Sequence, residues 1–248
     1  QPIEADHIAA AVLTLARDGF DVAAGVAIRS RLLRSAADDH TLVLVIHHIL
    51  ADGVSMGPLA RDVMLAYNAR TEGLTPSWPE LPVQYVDFTL WQHRVLGSEN
   101  DPDSVAAQQV RYWQQTLEGL PAVLDLPTDR PRPAVASHRG ASVDFEISGS
   151  TCAALRELAR QRGASMFMVV HAALATLLAR LSGTEDIAIG TPIAGRGEEQ
   201  LDDVIGMFVN TLVLRTQVDL STGFADLLTQ TRAVDLGAYA HGDVAFER

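Results

Sequence analysis

The sequence has 248 residues, of which 48% are hydrophobic and 20% are charged. This composition excludes an intrinsically disordered chain, because the apolar surface is large enough to offset the entropy lost on folding. The 31 acidic and 19 basic residues give a formal net charge of −12. Such an excess of negative charge argues against a nucleic-acid or anionic-membrane partner, since both require basic surfaces.

The cysteine count and the apolar pattern bear on the compartment. Cys152 is the single cysteine, which excludes an intramolecular disulfide and fits a reducing compartment. The longest apolar stretch, residues 166–178, is too short to span a bilayer, and the first 30 residues lack the pattern of a signal peptide. We therefore expect a cytoplasmic protein. Since the sequence opens at Gln1 without Met, we also expect a fragment of a longer polypeptide.

The first half of the chain combines helices with a hairpin. The apolar spacing predicts helices over residues 3–17, 54–70, 86–96 and 103–117. Ser104 is the expected N-cap of the last of these. Strand-like runs over 25–34 and 40–48 flank an acidic turn and predict a β-hairpin. The second run is almost continuously apolar, which is typical of a strand covered on both faces.

A proline-dense crossover at 127–140 is the expected boundary between two lobes, 1–126 and 141–248. Beyond it we expect strands over 141–147 and 186–192 and helices over 150–161, 165–181 and 224–239, with Ser165 and Gly183 bounding the middle helix. The mixture predicts an α+β or layered α/β fold.

A histidine pair, His47 and His48, stands where the apolar strand gives way to a turn, with Asp52 and Gly53 just beyond it. Imidazole is well matched to proton transfer at neutral pH, and alternation lets one of the two rings face a cleft. A purely structural pair is the alternative. No metal site is predicted, because the other histidines considered have no ligand spacing: His40, His93, His138, His171 and His241.

Four ordered motifs resemble those of the condensation domains of nonribosomal peptide synthetases, in the chloramphenicol acetyltransferase-like superfamily. They are HHILADGVS at 47–55, YVDFTLW at 85–91, IGMFVNTLVLR at 205–215 and HGDVAFE at 241–247. The last departs from the family at Gly242 and Ala245, where Gln and Pro are usual. GTPIAGR at 190–196 is also similar. The resemblance covers essentially the whole chain and implies the middle of the domain, somewhat over half of it.

The resemblance implies a role for each residue of the first motif. His48 would position or deprotonate the attacking α-amino group, and His47 would be structural and face away. Asp52 would hold the turn through a salt bridge to an arginine from a preceding part of the domain, outside this sequence. Gly53 would offer a backbone N–H to the developing oxyanion. Asn210 would line the tunnel.

The implied reaction is amide formation between a donor aminoacyl or peptidyl thioester and the amine of an acceptor aminoacyl thioester. Both would arrive on phosphopantetheine arms of upstream and downstream peptidyl carrier proteins, beside an adenylation domain. The domain itself would bind no cofactor. Its fold would be two chloramphenicol-acetyltransferase-like lobes with a tunnel between them, both incomplete here, so that the fragment alone could be inactive.

Two alternatives stay open at this point. An epimerization domain shares the histidine motif but needs a second acid/base, and the motifs after residue 140 are more similar to those of condensation domains. A catalytically silent, carrier-binding scaffold is the other alternative, although the intact His48, Asp52 and Gly53 argue against it.

Overall fold

The structure is a computed structural model that describes residues 2–137 and 139–248, so that Gln1 and His138 lie outside the described residues. Its α-helices are α1 Ile8–Arg17, α2 Met56–Thr71, α3 Tyr85–Leu96, α4 Val105–Thr116, α5 Gly149–Gln161, α6 Met166–Ser182 and α7 Phe224–Tyr239. Its strands are β1 Ile28–Arg34, β2 His40–Ile46, β3 Asp186–Ile193 and β4 Asn210–Gln217. The predicted mixed class is confirmed. The first predicted helix starts later than expected, because Ala5–His7 form a 3₁₀ turn before α1.

The described residues divide into two compact units. Unit 1 contains the described residues up to Val95 together with Ala194–Val209, and unit 2 contains those of Leu96–Ile193 and Asn210–Arg248. The segment 194–209 packs within unit 1, although the residues that precede and follow it in the sequence belong to unit 2. The two lobes expected on either side of the proline-dense crossover stay a prediction.

Unit 1 contains the predicted hairpin. β1 and β2 pair antiparallel, with Ile28 opposite Ile46, and the Ser35 N–H donates to the Asp39 carbonyl in the turn. Leu33 and Val43 are buried, whereas Leu42 is 48% exposed. The expectation that β2 is covered on both faces is therefore wrong for the described residues, because its two-stranded sheet has only one covered face.

The predicted helix caps of unit 2 are confirmed. Ser104 accepts a hydrogen bond from the Ala107 N–H at the start of α4. Ser165 does the same for the Met168 N–H of α6, and Gly183 ends that helix with a φ of 73°. Each cap satisfies backbone groups that the helix itself leaves unpaired.

The strand predicted over residues 141–147 is wrong. The segment has no regular secondary structure, and Val143 and Phe145 are 87% and 84% exposed. An alternating pattern becomes a strand only if a neighbouring strand hydrogen-bonds to it. The described residues provide no such neighbour for this segment.

The core of unit 2 lies between its sheet and two helices. β3 pairs antiparallel with β4, and α6 and α7 pack on them around Val169, Ile187 and Leu228. His171 of α6 is buried and its Nδ1 lies 2.8 Å from Oδ1 of the buried Asp235. The prediction that His171 is a hydrogen-bonded core residue is confirmed.

Among the described residues, no helix by itself is long and apolar enough to cross a bilayer. α5 and α6 together meet the criterion by length and composition only, across a bend of 105°.

Candidate functional site

The histidine motif forms the turn between β2 and α2 in unit 1. β2 ends at Ile46, and the His47 N–H donates to the Ala27 carbonyl, 2.9 Å away. The Leu50 N–H then donates to the His47 carbonyl at 3.0 Å, which closes a tight turn. The motif therefore lies at the end of a strand and before a helix, as the sequence predicts.

The two histidines have different surroundings. His47 Nδ1 accepts a hydrogen bond from the Ile49 N–H at 3.1 Å, and its ring meets Phe20 edge-on. His48 instead lines a cavity bounded by β2 and α2. The His47 ring is thus engaged in the turn while His48 borders the cavity, and the catalytic role of His48 stays a prediction.

Asp52 is the buried centre of the turn. It is 2% exposed, and its Oδ1 accepts hydrogen bonds from the backbone N–H and the hydroxyl of Ser55, at 2.9 and 2.7 Å. Its Oδ2 accepts from the Phe208 N–H at 3.1 Å. The bond from Phe208 joins the turn to a segment more than 150 residues further along the chain.

An arginine completes this centre, and its pairing with Asp52 is not predicted by the sequence. Arg196 Nη2 donates to Asp52 Oδ1 and to Ser55 Oγ, both at 3.0 Å. Its Nη1 donates to the carbonyls of Leu201 and Val204. The expectation that the partner of Asp52 lies outside this sequence is therefore wrong. The two residues are 144 positions apart, so no local pattern pairs them.

The electrostatics of Asp52 reflect this environment. Burial by itself would raise the pKa of the Asp52 carboxyl, but the hydrogen bonds from Ser55, Arg196 and the Phe208 N–H outweigh it and lower the pKa below its ordinary value. The carboxylate is thus kept charged beside a buried guanidinium that stacks 3.9 Å from the centre of the Phe208 ring.

Three of the sequence motifs meet in unit 1. The Asp52 N–H donates to the Gly206 carbonyl at 3.1 Å, which joins the motifs at 47–55 and 205–215. The Tyr85 hydroxyl, from the motif at 85–91, donates to the Met207 carbonyl at 2.7 Å. Burial raises the pKa of Tyr85, and the charge of Asp52 adds to the effect.

Gly53 lies on the exposed side of the turn, opposite the buried Asp52. A side chain at this position would meet nothing within 4 Å. It also lines the same cavity as His48. The oxyanion role of Gly53 stays a prediction.

Asn210 belongs to unit 2, where its side chain fastens the last motif. Its Nδ2 donates to the carbonyls of Gly242 and Val244, at 2.9 and 2.7 Å. Its Oδ1 accepts from the N–H groups of Thr211 and Phe246. These bonds give Asn210 a structural role, and its place in a tunnel stays a prediction.

One group of side chains in the described residues has the spacing of metal ligands. Glu4, Asp6 and His7 bring ligand atoms within 4.8 Å of one another, and all three are exposed. None of them belongs to the predicted site, and an exposed acidic group of this kind is common on protein surfaces.

Replacing Gly195 by Ala should destabilise unit 1 by roughly 2–5 kcal/mol. Gly195 has a φ of +65°, and an added Cβ would lie 1.9 Å from the Phe208 carbonyl oxygen. Gly197→Ala is the matched control, because Gly197 has no positive φ and no neighbour within 4 Å of that position. Chemical denaturation of both variants is the measurement; equal midpoints would contradict the packing described here.

The chain is similar to a known protein family over almost its whole length. The family described as "Condensation domain" matches residues 2–248. The chain belongs to the condensation domain family. It is 49% identical over 243 residues to the isonitrile lipopeptide synthase of Mycobacterium tuberculosis, and 46% identical over 243 residues to the dimodular nonribosomal peptide synthase of Bacillus subtilis. Each match covers 98% of this chain but only 10% of the relative's length.

Solved structures support the condensation-domain fold. The X-domain from teicoplanin biosynthesis matches with a TM-score of 0.91 at 31% identity, covering 99% of this chain and 55% of that one. The first condensation domain of the calcium-dependent antibiotic synthetase matches with a TM-score of 0.66 at 22% identity, which shows the fold alone. The chain therefore spans about half the length of these solved domains.

Proposed function

We propose that this condensation domain forms an amide bond between a donor aminoacyl or peptidyl thioester and an acceptor amine in nonribosomal peptide synthesis. The observation that carries the proposal is the geometry of the turn. His48 and Gly53 border one cavity, while the buried Asp52–Arg196 pair holds the backbone between them. Membership of the family and the synthetases among the relatives support the same reaction.

In this proposal the acceptor amine attacks the thioester carbonyl carbon. A C–N bond forms, the C–S bond breaks, and the proton lost by the nitrogen accompanies the departing thiolate. His48 orients the amine or accepts its proton, and the Gly53 N–H stabilises the charge on the carbonyl oxygen. Aminolysis of a thioester is favourable, so holding the two reactants in place supplies much of the acceleration.

The proposed partners follow from this chemistry. The substrates arrive on the phosphopantetheine arms of an upstream and a downstream peptidyl carrier protein, with an adenylation domain adjacent. A structural relative with a TM-score of 0.78 is described as a four-domain nonribosomal peptide synthetase bound to AMP and glycine, which supports a multidomain setting. We propose a cytoplasmic location, because the single cysteine, Cys152, fits a reducing compartment.

A domain that binds proteins without catalysis is the second candidate. The solved chain with a TM-score of 0.92 is described as a complex of the X-domain and OxyB, so a protein of this fold can hold another protein. The open cavity at His48 favours catalysis over this alternative. Epimerization of a carrier-bound residue is the remaining possibility within the superfamily.

The deciding experiment uses the protein that carries this chain, with donor- and acceptor-loaded carrier proteins. Mass spectrometry follows the group attached to the downstream carrier. A dipeptidyl adduct supports condensation. Deuterium exchange at the donor α-carbon without a dipeptide would instead indicate epimerization, and carrier binding with neither signal would indicate a non-catalytic domain.

A further inference from the structure

Tyr85, the first residue of α3, packs on the segment that holds the histidine motif. Its ring lies against Gly206, where an added Cβ would be 2.2 Å from the Tyr85 Cδ2 atom. The ring also meets Phe208 edge-on, with 5.1 Å between the two ring centroids. Its hydroxyl donates to the Met207 carbonyl at 2.7 Å. The tyrosine therefore contacts three consecutive residues, 206–208, all of them in unit 1.

These three residues are hydrogen-bonded to the turn that follows β2. The Gly206 carbonyl accepts from the Asp52 N–H, and the Gly206 N–H donates to Ser55 Oγ, both at 3.1 Å. The Phe208 N–H donates to Asp52 Oδ2, also at 3.1 Å. Because hydrogen bonds weaken steeply when their geometry is disturbed, a shift of the segment 206–208 would weaken all three bonds together. The position of the turn thus depends on the position of this segment.

We propose that Tyr85 is a positioning residue for condensation, which fixes the turn carrying His48 and Gly53 through the segment 206–208. The inference rests on the proposed function. Tyr85 is not among the residues that line the cavity beside His48, so it acts through the turn and not on the substrate. Misplacing a reacting group by about 1 Å can cost up to about 100-fold in rate, so a residue two contacts away from it can control the rate.

The hydroxyl makes a contribution that the ring alone does not supply. Burial raises the pKa of Tyr85, so its hydroxyl stays protonated over the pH range in which an imidazole such as that of His48 titrates. The bond to the Met207 carbonyl is therefore kept throughout that range. Tyr85→Phe removes this bond and retains the ring that packs on Gly206 and Phe208. This substitution isolates the positioning contact.

The first test measures amide formation by Tyr85→Phe in the protein that carries this chain, with loaded carrier proteins and well below the unfolding temperature. We expect kcat to fall about 10-fold, while KM for the acceptor carrier and the pH profile stay unchanged. A merely structural tyrosine would lower the unfolding temperature and leave kcat of the folded protein unchanged, which would overturn the inference. A shifted pH profile would assign Tyr85 to proton transfer and would also overturn it.

Tyr67→Phe is the matched control. Tyr67 lies in α2 of the same unit and is 63% exposed, and it is remote in sequence from both the turn and the segment 206–208. We expect Tyr67→Phe to keep the wild-type kcat. An equal loss of kcat in both variants would show that the effect is not specific to Tyr85, against the inference.

Hydrogen exchange tests the coupling without the reaction. In the same protein, mass spectrometry follows deuterium uptake in the peptide 50–56, which contains the bonded amides of Asp52 and Ser55. We expect exchange there to be about 5-fold faster in Tyr85→Phe than in the wild type or Tyr67→Phe, the change typical of one lost hydrogen bond. Unchanged exchange would overturn the inference. No amide product from the wild type would contradict the proposed function instead, and the exchange would still decide whether Tyr85 holds the turn.

Discussion

Replacing His48 by Ala should lower the rate of amide formation by at least about 100-fold, the contribution typical of a positioned acid/base group. His48 lines the cavity, whereas the His47 ring is engaged in the turn through the Ile49 N–H. His47→Ala should therefore act mainly by destabilising the turn, at a cost of about 1 kcal/mol for the lost hydrogen bond.

The two variants are compared in single-turnover assays with loaded carrier proteins, together with their thermal unfolding. We expect His48→Ala to lose product while unfolding at the wild-type temperature. A His48→Ala protein that forms dipeptide at the wild-type rate would remove His48 from the reaction. Strong inactivation by His47→Ala without loss of stability would show that the catalytic role belongs to His47 and not to His48.

Removing the Asp52 carboxylate should have the largest effect on stability. Asp52→Ala leaves Arg196 buried without its counter-charge, which typically costs about 3–5 kcal/mol. This is a large share of the stability of an ordinary domain. Folded yield and activity should therefore fall together, since the turn that carries His48 and Gly53 loses its anchor.

The control for Asp52 is an exposed ion pair in the same unit. Arg61 and Asp203 also form a salt bridge, but both side chains are accessible to water. Asp203→Ala should hardly change the unfolding midpoint, because solvent screens the pair. Stable, soluble Asp52→Ala protein that lacks activity would instead give Asp52 a direct chemical role.

A double variant separates charge from packing. Asp52→Asn with Arg196→Met removes both charges and should recover part of the stability lost in Asp52→Asn alone, because no buried charge is left unpaired. A double variant no more stable than Asp52→Asn would show that Arg196 acts through its other contacts, the carbonyls of Leu201 and Val204.

The same pair predicts how stability depends on pH. The pKa of Asp52 is lower in the folded protein than its ordinary value, so the folded state binds fewer protons than the unfolded chain near pH 4. Its contribution to stability is complete above the unfolded pKa of about 4 and is lost as the pH falls through the folded pKa. Denaturation at pH 6 and pH 3 should show a smaller loss for Asp52→Asn than for the wild type.

Local sequence determined most of the helices and strands and the position of the histidine motif between β2 and α2. N-caps such as Ser104 and Ser165 begin helices through contacts three residues away, so they can be predicted from neighbouring residues. The acidic turn before β2 is equally local, since the Ser35 N–H donates to the Asp39 carbonyl. The resemblance of four ordered motifs to those of the family added the expected roles of His48 and Gly53.

Only the tertiary structure identified the partner of Asp52. Arg196 is the last residue of the family-like segment 190–196, but a contact across 144 positions leaves no periodic signal that pairs it with Asp52. The same limit explains the strand wrongly predicted over 141–147, because pairing depends on a neighbour that alternation cannot supply. Asn210 likewise fastens a segment more than 30 residues away. Short-range hydrogen bonds can be predicted from residues that are close in the sequence, because both partners lie within one turn of the chain. Long-range pairs form only when the folded chain packs distant segments together.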